Sequence, residues 1–419
     1  MTHNFMKMFS IEGKIINHDS ESVARVEINS ETGLIESVGP ATGAADLVLN
    51  NELIFPGFGD IHVHARQDAS GTQNYKEDFK SASEAAVSGG VTFFADMPNN
   101  PVAPTDDKKY VEKAKLGSES KVHIILYAGI GPNTNPLKKK VPYKVYMGPS
   151  VGDLFFSSSA ELEKVISKYA GQNVSFHCED PEILEANKSA PTHEQQRPAA
   201  AEITATDFAL HLIEKYNLVG KLCHYSTKEG LPKIVEAKKR GVKVTCEVTP
   251  HHLYFDDSML NDGNHKLLQM NPPLRNKEDR LEMIAALKRG DIDYLATDHA
   301  PHTREEKLKG ISGVPHLDTY GSFTTWLMQE HAFMPQDIAR VCAYNPGKFV
   351  NEFLPPLCGK GFGKIEKGYI GSLTVINPNE PITITADKLK TKCAWSPFEG
   401  MAFPGRVKYT IIAGKVYSH

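Results

Sequence analysis

Six cysteines in 419 residues (Cys178, Cys223, Cys246, Cys342, Cys358 and Cys393) are scattered along the chain, with no C-x-x-C pair. That scarcity weighs against a disulfide framework or a cysteine-built zinc site and suggests reduced thiols in or near a core. Basic charge is not in excess. Lys and Arg number 47 against 51 Asp and Glu, for a formal net charge of -4. No nucleic-acid surface is expected, and a small-molecule partner is. No run approaches the roughly 18 apolar residues a membrane helix needs. Residues 1–7 lack the charged-then-apolar order of a secretion signal, so a soluble, cytoplasmic chain is expected. Internal repeats and low-complexity tracts are missing too, which leaves a globular enzyme or binding protein as the reading.

What the chain does have is alternation. Short apolar runs at 53–64, 91–97, 122–128, 143–147, 174–178, 219–225, 243–249 and 293–297 are separated by helical spacing at 78–88, 106–116, 159–170, 202–216, 228–240 and 277–289. Gly89-Gly90, Gly171 and Gly241 stand where helix C-caps are expected. Strands alternating with helices imply a parallel sheet, and eight of them imply an α/β fold, a (β/α)8 TIM-type barrel. The Pro- and Lys-rich stretch 129–142 interrupts the pattern, so one helix there should be short or missing. The two ends, 8–48 and 371–418, carry short alternating segments between Asp, Asn, Gly and Pro clusters. They read as antiparallel strands from opposite ends forming one small β-sandwich. The expected division is 1–52 and 356–419 for the sandwich and 53–355 for the barrel.

Active sites of such barrels lie at the C-terminal strand ends, and the chemistry-bearing residues fall there. His62 and His64, two apart on a strand, point the same way and can reach one metal ion. His177 and His224 each end an apolar run and could complete a cluster. Alone, either would more often be a packed histidine. Asp298 ends a later run, before His299-Ala300-Pro301-His302. A carboxylate there can bind metal and relay a proton; its ordinary role would be a helix N-cap. Lys144 is harder to place, because an ammonium repels metal and a surface lysine is the plain alternative. N-carboxylated by CO2 it becomes an anion able to bridge two metals, with Asp153 as the rival bridge. Arg66, on the side of the His pair, suits a substrate carboxylate. Asn99 could donate to the same anion, although both could be loop residues.

Phe55-Pro56-Gly57-Phe58-Gly59-Asp60-Ile61-His62-Val63-His64-Ala65-Arg66 resembles the amidohydrolase superfamily and, through its arginine, the class I dihydroorotases. Met97-Pro98-Asn99, Cys246-Glu247-Val248-Thr249-Pro250-His251-His252-Leu253, Met270-Asn271-Pro272-Pro273-Leu274-Arg275 and Thr297-Asp298-His299-Ala300-Pro301-His302 are similar to that family's signatures. Asn345-Pro346-Gly347-Lys348 and Ser396-Pro397-Phe398-Glu399-Gly400 resemble its C-terminal region. The resemblance covers nearly the whole chain. It implies zinc-dependent, reversible cyclisation of N-carbamoyl-L-aspartate to L-dihydroorotate in pyrimidine synthesis. It implies His62, His64, Lys144, His177, His224 and Asp298 as ligands of two zinc ions bridged by N-carboxylated Lys144. A metal-bridging hydroxide would be the nucleophile, and Asp298 the general base and acid. Arg66, Asn99 and His302 match the residues that hold the substrate carboxylate; Asn271 and Gly313-Val314-Pro315 match positions near the ring. A homodimer and a transcarbamoylase partner belong to the same set of expectations.

The chain departs from the family after Arg66, where Gln67-Asp68-Ala69 replaces an acidic-Pro-Gly turn. It departs again at Asn100, and at His316-Leu317-Asp318, where Gly and Glu are usual. The segment Gly148-Pro149-Ser150-Val151-Gly152-Asp153 is expected to be a mobile lid over the mouth. The rivals are another cyclic-amide hydrolase (hydantoinase, dihydropyrimidinase or allantoinase) and a non-catalytic dihydroorotase-like partner of a transcarbamoylase. Arg66 and His302 argue against the first, and the complete ligand set against the second.

Overall fold

The computed structural model describes residues 8–41, 43–148, 154–156 and 158–419. Eight strands form the barrel: β1 (Phe58–Val63), β2 (Val91–Asp96), β3 (His123–Leu126), β4 (Tyr143–Tyr146), β5 (Asn173–His177), β6 (Val219–Leu222), β7 (Val244–Val248) and β8 (Tyr294–Leu295). Each pairs in parallel with the next; between β3 and β4 the pairing runs through the continuation Ala128–Ile130. The ring closes just past β8, where His299 bridges in parallel to Val63 and its carbonyl accepts from His64 N at 2.8 Å. β1, β2, β4 and β5 are buried at every residue. Strands covered on both faces read as continuous apolar runs, and this is why these were visible in the sequence.

Helices follow the expected pattern: α1 (Phe79–Ser88), α2 (Asp107–Leu116), α3 (Ser159–Ile166), α4 (Ala199–Lys215), α5 (Leu231–Lys239) and α6 (Lys277–Arg289). Side-chain oxygens fix several starts. Asp78 accepts from Ser81 N, Asp106 from Lys109 N, and Asn276 from both Glu278 N and Asp279 N, each satisfying an amide the first turn leaves open. α6 ends at Gly290 with φ +88°, a conformation glycine takes without strain. No helix forms between β3 and β4, as the stretch 129–142 foretold.

Strands from both chain ends hydrogen-bond into one continuous seven-stranded sheet. Its order is Lys415–Ser418, Arg406–Ile412, Leu373–Asn377, Leu47–Pro56, Met8–Ile16, Glu21–Asn29 and Ile35–Gly39. One pairing departs from the antiparallel expectation, since Met8–Ile16 and Leu47–Pro56 run parallel. After Gly39 the chain crosses back before its fourth strand starts, which reverses that strand's sense. The sheet covers an aliphatic core that includes Ile11, Val26, Ile54, Leu373 and Ile411. Gly57 alone separates Leu47–Pro56 from β1, so the end sheet and the first site-bearing strand are coupled directly. Of the expected lid, Gly148 to Asp153, residues 149–153 lie outside the described residues. Among the described residues no helix is long and apolar enough to cross a membrane.

Candidate active site

One cavity of about 380 Å³ opens at the C-terminal ends of the strands, a size suited to a small ring. His62, His64, Arg66, Asn99, Lys144, His177, His224, Asn271, Asp298 and His302 all line it. The candidates named from the sequence are therefore at one place, apart from Asp153 and from Val314 and Pro315 of the loop that follows Gly313. The Gly310–Gly313 loop forms part of the wall. At Gly313 (φ +123°) a Cβ would come within 2.7 Å of the Ala300 carbonyl, so the loop can sit here only as glycine. Val314 does not face the cavity; it bridges to His299 and accepts from Ala300 N.

Asp298 stands at the centre. Its Oδ1 lies 3.0 Å from His64 Nε2 and 3.2 Å from His62 Nε2. Ligand atoms of His62, His224 and Asp298 all lie within 4.8 Å of one another. His177 Nδ1 lies 2.8 Å from His224 Nε2, and His224 Nδ1 is buried without a partner. Four imidazoles and a carboxylate converging with ring nitrogens turned together make a donor set for a borderline divalent metal.

Outer partners decide which nitrogen each ring presents. Glu247 faces His62 Nδ1, Asn99 Oδ1 accepts from His64 Nδ1 at 2.7 Å, and Glu179 Oε2 takes His177 Nε2 at 2.8 Å. This leaves Nε2 of His62, Nε2 of His64 and Nδ1 of His177 for the centre. Such carboxylate–histidine contacts fix tautomer and ring orientation in metal sites. Glu247 also pairs with buried Lys221 and accepts from His224 N at 3.2 Å. Arg197 grips Glu179 in two places. Burial depresses the protonation of His62, His64 and His224 far below the ordinary range, so all three are neutral and competent ligands near pH 7. Burial pushes the Asp298 carboxyl up to about 7, against the pull of Lys144. Asp60 is likewise raised to about 7 by burial. It accepts from His62 N and Thr297 N, both at 3.1 Å, and staples β1 to the segment after β8.

Lys144 is wholly buried, its Nζ 2.8 Å from Cys223 Sγ and 5.3 Å from the Tyr146 ring centre. Buried Lys113 and Lys221 each have a carboxylate, Asp96 and Glu247. Among the described residues Lys144 has none at ion-pair distance.

At the rim, Arg66 Nη2 lies 3.1 Å from His302 Nε2, and Arg66 Nε is buried without a partner. Asn99, its oxygen held by His64, can present its amide nitrogen here. Arg66 (φ +61°), His224 (φ +38°) and Asp298 (φ +49°) are non-glycine residues in the left-handed region. Such backbone strain collects at functional sites, and here it falls at three strand ends, aiming three side chains inward. Asn271 Oδ1 is buried without a partner, and so is the Tyr146 hydroxyl.

Sequence reasoning passed over Glu247, Glu179, Lys221, Lys76 and Tyr146. Two left a signal: Lys221 and Glu247 are charges inside apolar runs. The departures take structural roles. Asp68 accepts from Ser70 N (2.8 Å) and Val102 N (2.7 Å), Asn100 from Lys113, and Asp318 from Lys390 N (2.5 Å) and Thr391 N (3.3 Å). His316 meets His251, ring nitrogen to ring nitrogen, at 2.9 Å.

A closed barrel, a metal donor set at its mouth and a sheet built from both chain ends define the class: the chain belongs to the amidohydrolase family, whose profile matches residues 53–417. It is a metal-dependent amidohydrolase. Among its relatives, the protein named dihydroorotase from Geobacter metallireducens is 32% identical over 430 residues, covering 97% of this chain and 98% of that one. The dihydroorotase of Pyrococcus furiosus is 32% identical over 365 residues, 87% of this chain and 81% of that one. Among solved structures, L-hydantoinase from Arthrobacter aurescens superposes with a TM-score of 0.87 at 22% identity, covering 98% of this chain and 96% of that one. Dihydropyrimidinase from Brevibacillus agri superposes with a TM-score of 0.82 at 20% identity, over 99% and 95%. At those identities the structural likeness speaks for the fold alone.

Proposed function

We propose that the chain is a dihydroorotase, interconverting N-carbamoyl-L-aspartate and L-dihydroorotate. The observation that carries this reading is the set Arg66, Asn99 and His302 beside the metal donors. A fork of guanidinium donors, an amide and an imidazole are complementary to a carboxylate. Dihydroorotate carries one on its ring; hydantoin and allantoin present none there. Relatives named dihydroorotase at 32% identity support the same reading.

His62, His64, His177, His224 and Asp298 would hold the metal, and Lys144, as its N-carboxylate, would bridge two zinc ions. A buried ammonium with no carboxylate at ion-pair distance among the described residues is costly, and conversion to a carbamate would remove that positive charge. When bound, the metal supplies Lewis acidity to the amide carbonyl and lowers the pKa of water. Asp298 then does the proton work. It takes the proton of the attacking water as oxygen adds to the ring carbonyl carbon. It returns that proton to the ring nitrogen as the C–N bond breaks and its electron pair leaves on nitrogen. Ring closure runs the same transfers backwards. Arg66, Asn99 and His302 fix the carboxylate and so place the carbonyl.

The division into 1–52, 53–355 and 356–419 is part of the proposal, with catalysis in the barrel and the joined ends as scaffold. The homodimer and the transcarbamoylase contact rest on the resemblance, and the cytoplasmic location on the scattered cysteines read as reduced thiols. The test is turnover of dihydroorotate, hydantoin and allantoin by one metal-loaded sample. Dihydroorotate should be strongly preferred, and comparable rates on the other two would reject the assignment.

A further inference from the structure

We propose that Lys76 is a positioning residue for the substrate anion and acts through His302. The inference rests on the reading of the site as one that receives a carboxylate. Lys76 precedes α1, is buried, and holds its Nζ 3.2 Å from His302 Nδ1 and 2.9 Å from Glu306 Oε1. Glu306 Oε2 also approaches His302 Nδ1, at 3.5 Å. That carboxylate is already occupied, by the Tyr75 hydroxyl at 2.6 Å, by Lys76, and by Thr303 N at 3.0 Å. The shorter contact belongs to Lys76.

An ammonium has hydrogens to give and no lone pair to offer. At Nδ1 it therefore needs a lone pair, and the single proton of neutral His302 is left on Nε2. Burial, with Arg66 and Lys76 close by, keeps the ring neutral. Nε2–H then faces Arg66 Nη2 at 3.1 Å. Two donors cannot satisfy each other, and the buried Arg66 Nε lacks a partner as well. A carboxylate, with two oxygens side by side, satisfies such a group. The local pairing agrees: Glu306 pairs with Lys76, while Arg66 has no carboxylate at ion-pair distance among the described residues. Lys76 is held from behind, its backbone N donating to Gln73 O at 2.9 Å and its carbonyl accepting from Cys393 Sγ at 3.1 Å. It is placed to set the tautomer of His302 without touching substrate.

The experiment uses the full-length, metal-loaded enzyme with dihydroorotate, comparing Lys76→Met, Glu306→Gln, His302→Ala and the Lys76→Met/His302→Ala pair. Lys76→Met should raise KM roughly tenfold, the loss of one charge-assisted hydrogen bond, with kcat within about threefold and bound metal unchanged. The double variant should be no worse than His302→Ala, because Lys76 acts through that ring. Glu306→Gln should leave KM within about threefold. Ring-nitrogen NMR of 15N-histidine-labelled wild type should show His302 protonated at Nε2. Additive losses in the double variant, an equal loss in Glu306→Gln, or a His302 protonated at Nδ1 would overturn the inference. A wild type unable to turn over dihydroorotate would reject the dihydroorotase reading, and the NMR result would then decide the role of Lys76.

Discussion

Asn99 and His64 are joined side chain to side chain, Asn99 Oδ1 lying 2.7 Å from His64 Nδ1. Because a carbonyl oxygen only accepts, the His64 proton sits on Nδ1 and its Nε2 lone pair faces the centre. The same contact turns the Asn99 amide nitrogen toward the cavity. One residue thus sets the tautomer of His64 and leaves a donor turned to the cavity. Asn99→Asp keeps the acceptor but puts a charge where the donor was. It should retain metal while raising KM for dihydroorotate by about tenfold or more. Elemental analysis beside steady-state kinetics checks this, and unchanged KM would contradict it.

Glu247 touches His62, Lys221 and the His224 amide. Glu247→Gln should lower metal affinity about 10- to 100-fold, as loss of an outer-sphere partner does. It also strands buried Lys221, a cost of about 3–5 kcal/mol. Competition with a chelator and denaturant unfolding read the two effects separately. Glu247→Gln with unchanged affinity would remove Glu247 from the site's architecture.

Lys144→Ala should abolish most activity, and short carboxylic acids should restore part of it by standing in for a bridge. Protein loaded with metal under 13CO2 should show one carbamate carbon by NMR, lost in Lys144→Ala. Its absence from active enzyme would exclude the N-carboxylated lysine.

Asp298 titrates near 7 in the folded, metal-free protein, against about 3.9 when unfolded. Between those values the folded state binds the extra proton. Its contribution therefore falls as pH rises from about 4 to about 7 and is level above. The buried histidines, with lowered protonation, have the opposite sign, so the effect is read as a difference from Asp298→Asn. Relative to that variant, metal-free wild type should lose stability between about pH 4 and about pH 7, the span between the unfolded and folded values. Bound cation should reduce the loss by favouring ionised Asp298. A difference that grows in favour of wild type with rising pH would contradict the burial argument.

The barrel was legible because strands such as Val91–Asp96, buried on both faces, leave uninterrupted apolar runs, and because Asp78, Asp106 and Asn276 mark helix starts. The cluster was legible because its four histidines and Asp298 sit at the ends of those runs. The network behind it was not. His62 and Glu247 are 185 residues apart and meet only once the barrel closes. The parallel pairing of Met8–Ile16 with Leu47–Pro56 was hidden for a similar reason, since no local pattern records the sense in which a strand returns.

Dihydrouracil has the dihydroorotate ring without its carboxylate, so comparing the two isolates the group that Arg66, Asn99 and His302 are proposed to bind. Stranding a buried charged donor costs about 2–5 kcal/mol, or roughly 30-fold to several-thousand-fold in rate. The metal-loaded wild type should favour dihydroorotate in kcat/KM by a factor in that range. Arg66→Met should keep its metal and lose most of that preference. Equal kcat/KM for the two rings in the wild type would contradict the dihydroorotase assignment and leave a cyclic amidase of broader range.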